Sequence, residues 1–222
     1  MNHKELASKL NVVFNNEKLL IEALTHPSYA NENNTPHNQR LEFLGDAVLG
    51  LAMSTYLFSL HKDFNEGEMS KHRAQAVCEE ALVIYAEKIE LSKYLLLGNG
   101  EEVKGGRYRA SLIADAFEAV LGAVYLDQGF EAASKLVSRI ILPYIDEVTI
   151  IQDYKTRLQE LVRTDRMSLS YTIVNEDGPA HNKTFEAIVK MENGIILGHG
   201  IGKTKKESEQ NAAKEALLKC EK

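Results

Sequence analysis

Basic charge is scarce in this sequence, and so is cysteine. The 222 residues carry 26 Lys and Arg against 32 Asp and Glu, a net charge of −6. That balance argues against a uniformly basic, nucleic-acid-coating surface. The shortage is uneven. Residues 1–151 hold 14 Lys and Arg against 21 Asp and Glu, a net of −7, whereas residues 152–222 hold 12 against 11, a net of +1. The first part needs metal and a docked partner before it can approach phosphates. Only Cys78 and Cys220 occur. They are far apart and lack metal-ligand spacing, which excludes a disulfide scaffold or a cysteine zinc site and suits reduced thiols in the cytosol. The opening run Met1–Leu6 lacks a signal-peptide apolar core. Ala110–Leu126 is 17 residues long and contains two carboxylates, so it is rejected as a membrane span. A cytoplasmic protein with no membrane partner is expected. At 44% hydrophobic and 26% charged residues, the chain can bury a real core in one large or two modest domains.

The chain is organised around Gln39–Leu49. Its apolar positions Leu41, Leu44, Val48 and Leu51 recur at helical spacing. Between Leu41 and Leu60 the only charges are Glu42 and Asp46. Four residues apart, they share one helical face. A second helical stretch, Ala110–Leu126, repeats the pattern with Asp115 and Glu118 as its only charges, three apart and again on one face. One such pair reads equally well as two surface carboxylates. Two pairs, each alone in an uncharged helix, point to a shared four-carboxylate site for a hard cation, Mg²⁺ or Mn²⁺.

Around these helices the periodicity predicts short helices over 3–10 and 16–25, the second ended by Pro27, then a polar loop over Asn31–Asn38. The central helix should run to about Leu60. A turn over Asp63–Gly67 precedes a helix over Ser70–Glu87 with Ala74, Val77, Leu82 and Tyr85 in the core. The glycines of Leu95–Arg109 lack the Gly-Lys-Ser/Thr ending of a phosphate loop and read as a flexible connection. After Gly129 a last helix is expected over Glu131–Ile145. No β-alternation stands out before residue 168, so this part is expected to be all-α. His26 fits a structural hydrogen-bonding role better than a catalytic base. Lys71 and Arg73 suit a solvated face or a phosphate contact equally.

The tail reads differently. Asp153 is a candidate N-cap for a helix over Tyr154–Arg163. Strands are expected around Tyr171–Val174, Phe185–Val189 and Gly194–Gly200, then a helix over 204–220 with Ser208, Ala212, Ala213, Ala216 and Cys220 along one side. The order is α-β-β-β-α. Lys203, Lys205 and Lys206 fall at or just before the first turn of that helix, where ammonium groups and free N–H groups both favour phosphate. Gly202-Lys203-Thr204 resembles the end of a nucleotide loop, but that loop's first glycine would fall at Leu197, so the motif fails.

The run Arg40–Leu49 (RLEFLGDAVL) closely resembles the signature of the ribonuclease III family. His26–Tyr29, Asn65–Ser70 and Ala114–Ala119 match its other blocks in the same order. Gly178–His181 and Gly202–Ala213 resemble the two strongest blocks of the double-stranded-RNA-binding domain. The resemblance implies an all-α nuclease domain over 1–147, a linker over 148–152, and a small α+β RNA-binding domain over 153–222. It implies a homodimeric endonuclease for double-stranded RNA, dependent on Mg²⁺ with Mn²⁺ as a substitute and needing no organic cofactor. Its products would carry 5′-phosphate and 3′-hydroxyl ends with short 3′ overhangs. Its typical tasks would be ribosomal RNA maturation and messenger RNA processing and turnover.

By that resemblance Glu42, Asp46, Asp115 and Glu118 are the catalytic metal ligands, and Glu66 is a further acidic position. Phe43 matches an aromatic buried in the partner subunit. Gln159, Glu160 and His181 reach two minor grooves, while the three lysines meet the intervening phosphates. The sequence departs from the family at Gln39, where many members have Glu; Gln keeps the hydrogen bonding and loses the charge. A pure RNA-binding protein with a dead nuclease domain would lack one of the four carboxylates, and all are present. A helical nucleotide phosphohydrolase would need a His-Asp pair, and none occurs.

Overall fold

The computed structural model describes residues 3–163, 168–178 and 183–220. The chain divides into two compact units, 1–148 and 149–222.

The first unit is helical. It contains α1 (His3–Leu10), α2 (Glu17–Leu24), α3 (Pro27–Asn33), α4 (Gln39–Leu60), α5 (Glu66–Ala76), α6 (Glu79–Lys88), α7 (Asn99–Val103) and α8 (Ala110–Ile140). The helix α9 (Ile145–Arg163) contains the division between the units. The core runs along α4 and α8: Leu41, Val48, Leu49 and Met53 from one helix meet Ile113, Phe117, Val120 and Val124 from the other, with Leu20, Leu82 and Tyr85 beside them.

Two glycines set the distance between α4 and α8. A Cβ on Gly45 would lie 1.8 Å from the Glu118 carbonyl oxygen, and one on Gly122 would lie 2.3 Å from the Leu41 carbonyl oxygen. The backbones therefore touch at two reciprocal points. Any side chain at either position would force them apart.

Several local expectations are corrected. Pro27 does not merely end α2; it occupies the start of α3, where its missing N–H costs nothing, so helix enters the expected 31–38 loop. The single helix expected over Ser70–Glu87 is two. An Asn65–Glu68 capping box starts α5 early, and Val77 leaves helical geometry before α6 begins with Glu79 and Glu80 in its first turn. Ala74 is consequently exposed. Leu51 faces outward, although Leu41 and Val48 are buried. The connection over 95–109 contains α7 and a 3₁₀ turn over Gly106–Tyr108. It is pinned where Glu32 accepts from Asn99 and where Arg107 donates to the Ser92 carbonyl. Gly129, at φ +82°, leaves helical geometry and divides α8 into two helical stretches, which bears out the break expected there, although the second stretch ends at Ile140 rather than Ile145. The expected linker over 148–152 is helical, and Asp153 lies inside α9 rather than at its start.

The second unit packs the C-terminal part of α9 and α10 (Lys205–Cys220) on an antiparallel sheet, β1 (Leu169–Asp177), β2 (Thr184–Met191) and β3 (Ile196–Gly202), in that spatial order. Leu158 and Val162 join Ala187, Val189, Ala212, Ala213 and Ala216 in its core. Gly198, Gly200 and Gly202 form the inner face of β3. A Cβ on each would fall within 2.6 Å of the α10 backbone.

By length and apolarity alone α4 could cross a membrane. Here one flank lies in the core and the helix carries Glu42 and Asp46.

The α4–α8 contact gives a direct test. Gly45→Ala should destabilise the protein by at least about 2 kcal/mol, because a rigid backbone carbonyl occupies the space the methyl needs. Urea unfolding with an unchanged midpoint would show that the helices can separate without cost.

Candidate active site and nucleic-acid interface

Helices α4 and α8 carry one acidic pair each, and the glycine contacts bring the pairs together. Gly45 adjoins Asp46 and abuts the backbone of Glu118. Gly122, one turn beyond Glu118, abuts the backbone of Leu41, next to Glu42. Asp46 is exposed; Glu42, Asp115 and Glu118 are half-buried. Glu118 is the most perturbed. Burial, then the charges of Asp46, Glu42 and Asp115, push its carboxyl up to about 7. Burial followed by Asp115 raises Glu42, and burial raises Asp115, partly opposed by His26.

All the charges raising Glu118 are negative. Among the described residues, no three acidic, histidine or cysteine side chains stand close enough to chelate an ion as they are. Coulomb repulsion acts over longer distances than metal–oxygen bonds. The donor set of oxygens on one strained patch of negative charge fits a hard divalent cation.

The other expected positions of the helical unit lie elsewhere on its helices. Gln39 is exposed at the start of α4. Glu66 opens α5, where it accepts from the Ser70 hydroxyl at 2.8 Å. It also lines a cavity of about 470 Å³ with Ser54, Phe58, Met69 and Arg73. Arg73 donates to the Ser54 hydroxyl at 2.9 Å. Phe43 is 82% exposed. The His26 Nδ1 accepts from the Ser28 N–H at 3.2 Å and caps α3. The Ser28 hydroxyl in turn accepts from the Gly98 N–H at 2.9 Å. Burial lowers the His26 pKa, and this histidine ties the α2–α3 corner to the segment before α7.

In the second unit Gln159 and Glu160 are exposed on α9, and Lys203, Lys205 and Lys206 are exposed at the start of α10. His181 lies outside the described residues. The Thr204 hydroxyl accepts from the Glu207 N–H at 3.0 Å, and Glu207 accepts from the Lys203 N–H at 2.6 Å. This reciprocal cap holds the lysine run at the helix start.

A family model described as Ribonuclease-III-like matches residues 16–145, and one for the double-stranded RNA binding motif matches residues 154–220. The chain belongs to the ribonuclease III family. It is 51% identical to Ribonuclease 3 of Geobacillus sp. (strain WCH70) over 222 residues, covering 97% of this chain and 90% of that one. It is 50% identical to Ribonuclease 3 of Onion yellows phytoplasma (strain OY-M), covering 100% and 92%. The solved nuclease domain of ribonuclease III from Campylobacter jejuni superposes with a TM-score of 0.60 at 40% identity, covering 63% of this chain and 96% of that one. The chain is thus a double-stranded-RNA endoribonuclease of a metal-dependent ribonuclease III family.

Gly45 lies inside the signature block, but nothing local in the sequence marks Gly45 and Gly122 as a pair. The identity of its neighbour across the helix crossing is a tertiary fact.

The perturbed acid predicts a pH dependence. A carboxyl raised in the folded state favours folding below its unfolded value near 4.5. It loses that contribution as pH rises through about 7. Chelator-treated protein should therefore lose stability between about pH 4.5 and 7.5. Glu118→Gln should recover about 1–2 kcal/mol at pH 7.5 after discounting for partial exposure. A variant no more stable than the parent in chelator would remove the strain from Glu118.

Proposed function

We propose that Glu42, Asp46, Asp115 and Glu118 hold Mg²⁺, with Mn²⁺ as a substitute, and that this site hydrolyses RNA phosphodiesters. The observation that carries the reading is the close α4–α8 contact at Gly45 and Gly122, which sets the two acidic pairs side by side; burial, then the charges of Asp46, Glu42 and Asp115, raise the Glu118 carboxyl there. A bound ion of this class lowers the pKa of a coordinated water and neutralises charge developing on phosphate oxygens. The chain's contribution is to fix two acidic pairs on rigid helices. Hydrolysis would leave 5′-phosphate and 3′-hydroxyl ends. Glu66 and Gln39 are accessory polar positions near the start of their helices. Gln39 supplies hydrogen bonding without charge.

Gln159, Glu160, His181 and the lysines Lys203, Lys205 and Lys206 are read as the duplex contacts, on the chemistry of a module that senses groove shape and phosphate. Phe43 is read as a homodimer contact. The outer face of α4 also exposes Leu51 and Phe58, more apolar surface than a lone helix keeps without a partner. The related Campylobacter jejuni structure concerns a region involved in dimer formation. A lipid face is disfavoured by Glu42 and Asp46 on the same helix. Cleavage by a two-fold dimer, one strand per subunit, would give short 3′ overhangs. Cytoplasmic ribosomal RNA maturation and messenger RNA processing are the tasks such an activity serves.

Incubation of the chain with a long RNA duplex and Mg²⁺ should yield short duplex products. Single-stranded RNA and duplex DNA should remain intact, and no cutting of RNA would refute the proposal. Glu118→Gln should lower single-turnover cleavage by at least about 100-fold, since it removes an anion from the ion's shell. Duplex affinity measured in Ca²⁺ should change little. Joint loss of binding and cleavage would place Glu118 in RNA contact or in folding instead.

Phe43→Ala should shift the protein toward monomer in analytical sedimentation. A monomeric parent at micromolar concentration would contradict the dimer directly.

A further inference from the structure

Three residues distant in sequence meet at one end of the RNA-binding module's sheet. Glu176 lies near the end of β1, where it pairs in register with Phe185 of β2. Phe185 pairs in turn with Gly202 of β3, three residues before Lys205 starts α10. Lys183 lies immediately before β2. One carboxylate bridges both lysines: Glu176 Oε1 is 2.7 Å from the Lys205 Nζ, and Oε2 is 3.1 Å from the Lys183 Nζ. Both ammonium groups also lie over the Phe185 ring, at 5.6 and 5.9 Å from its centroid. The ring holds two cations close together that would otherwise repel, and the carboxylate fills the gap between them.

We propose that Lys183 and Lys205 form a phosphate subsite of the duplex-binding face, and that the Glu176 carboxylate occupies this subsite until an RNA phosphate displaces it. The inference rests on reading the α10 lysine edge as an RNA contact. It adds Lys183 as a second cation and Glu176 as a competing occupant. The chemistry is matched: a phosphodiester, like the carboxylate, presents two oxygens sharing one negative charge to two ammonium donors. The occupant is weakly held, because all three side chains remain substantially exposed to water. A duplex brings condensed counterions that are released when lysines replace them; a lone carboxylate brings no such gain. Once displaced, Glu176 stands uncompensated beside the phosphate and recruits a cation from solution. It therefore weakens duplex binding and makes it less sensitive to salt.

The test measures affinity of the full chain for an RNA duplex of about 30 base pairs, longer than the roughly 16 such a module covers. Ca²⁺ replaces Mg²⁺, and KCl is varied. Glu176→Gln should tighten binding about threefold to tenfold at low salt and steepen the salt dependence. Lys183→Gln should weaken binding by a similar factor and reduce the slope by up to about 0.9. Lys183→Arg should restore most of the affinity. A tighter-binding Glu176→Gln is not an outcome that a damaged fold produces, and unfolding midpoints accompany each measurement. Lys183→Gln with unchanged affinity and slope, or Glu176→Gln with weaker binding, would overturn the subsite while leaving the lysine edge standing. Lys205→Gln with unchanged binding would overturn the lysine edge itself and the subsite with it.

Discussion

The contact between the α4 and α8 backbones governs the nuclease unit. Gly45 rests on the carbonyl of Glu118 and Gly122 on that of Leu41, so the two helices approach as closely as bare backbone permits. The surrounding core, with Leu49 and Met53 against Phe117 and Val120, supplies the burial that holds them there. The same contact brings two acidic pairs onto neighbouring turns. Packing energy is thereby set against electrostatic repulsion: the apolar interior favours the approach, and the carboxylates oppose it. The four carboxylates stand on helices rather than loops, so the scaffold fixes where they project.

The RNA-binding unit uses a related device for a different end. Three alternate glycines leave the inner face of β3 bare, and the small residues Ser208, Ala212 and Ala216 of α10 pack directly on it. The outer edge of β3 is exposed to solvent but not left open. Glu215 accepts from the His199 N–H, and the Asn211 side chain donates to the Ile201 carbonyl. Both come from α10, so the helix that carries the lysines also blunts an edge that could pair with another chain. On α9 a further tie holds: the Lys155 ammonium is 2.7 Å from Glu209 and 4.2 Å from the Tyr171 ring centroid. That pairing joins α9, α10 and β1.

Charge is arranged oppositely in the two units. The nuclease unit concentrates acid where α4 and α8 meet. The RNA-binding unit concentrates lysines at a helix start, where N–H groups add to their field, and partly pairs them with Glu176. The overall net charge of −6 hides both features, since an average over the chain carries no information about where charges meet.

The helical period of α4 and α8, the isolation of Glu42, Asp46, Asp115 and Glu118 within them, the α-β-β-β-α order of the tail and the position of its lysines are legible in the sequence. These are local properties: side-chain spacing of 3.6 or 2 and the polarity of each residue are written in neighbouring positions. Helix ends were less legible. Whether Val77 continues a helix or breaks it depends on what the next turn can bury. Only the tertiary structure decided that Gly45 meets Glu118, that Phe43 faces outward although its neighbour Leu41 is buried, and that Glu176 bridges Lys183 and Lys205. Each of those facts joins residues separated along the chain or compares the faces of a helix against a core. Distance through space and burial arise from the packing of whole elements, so no window of adjacent residues contains them.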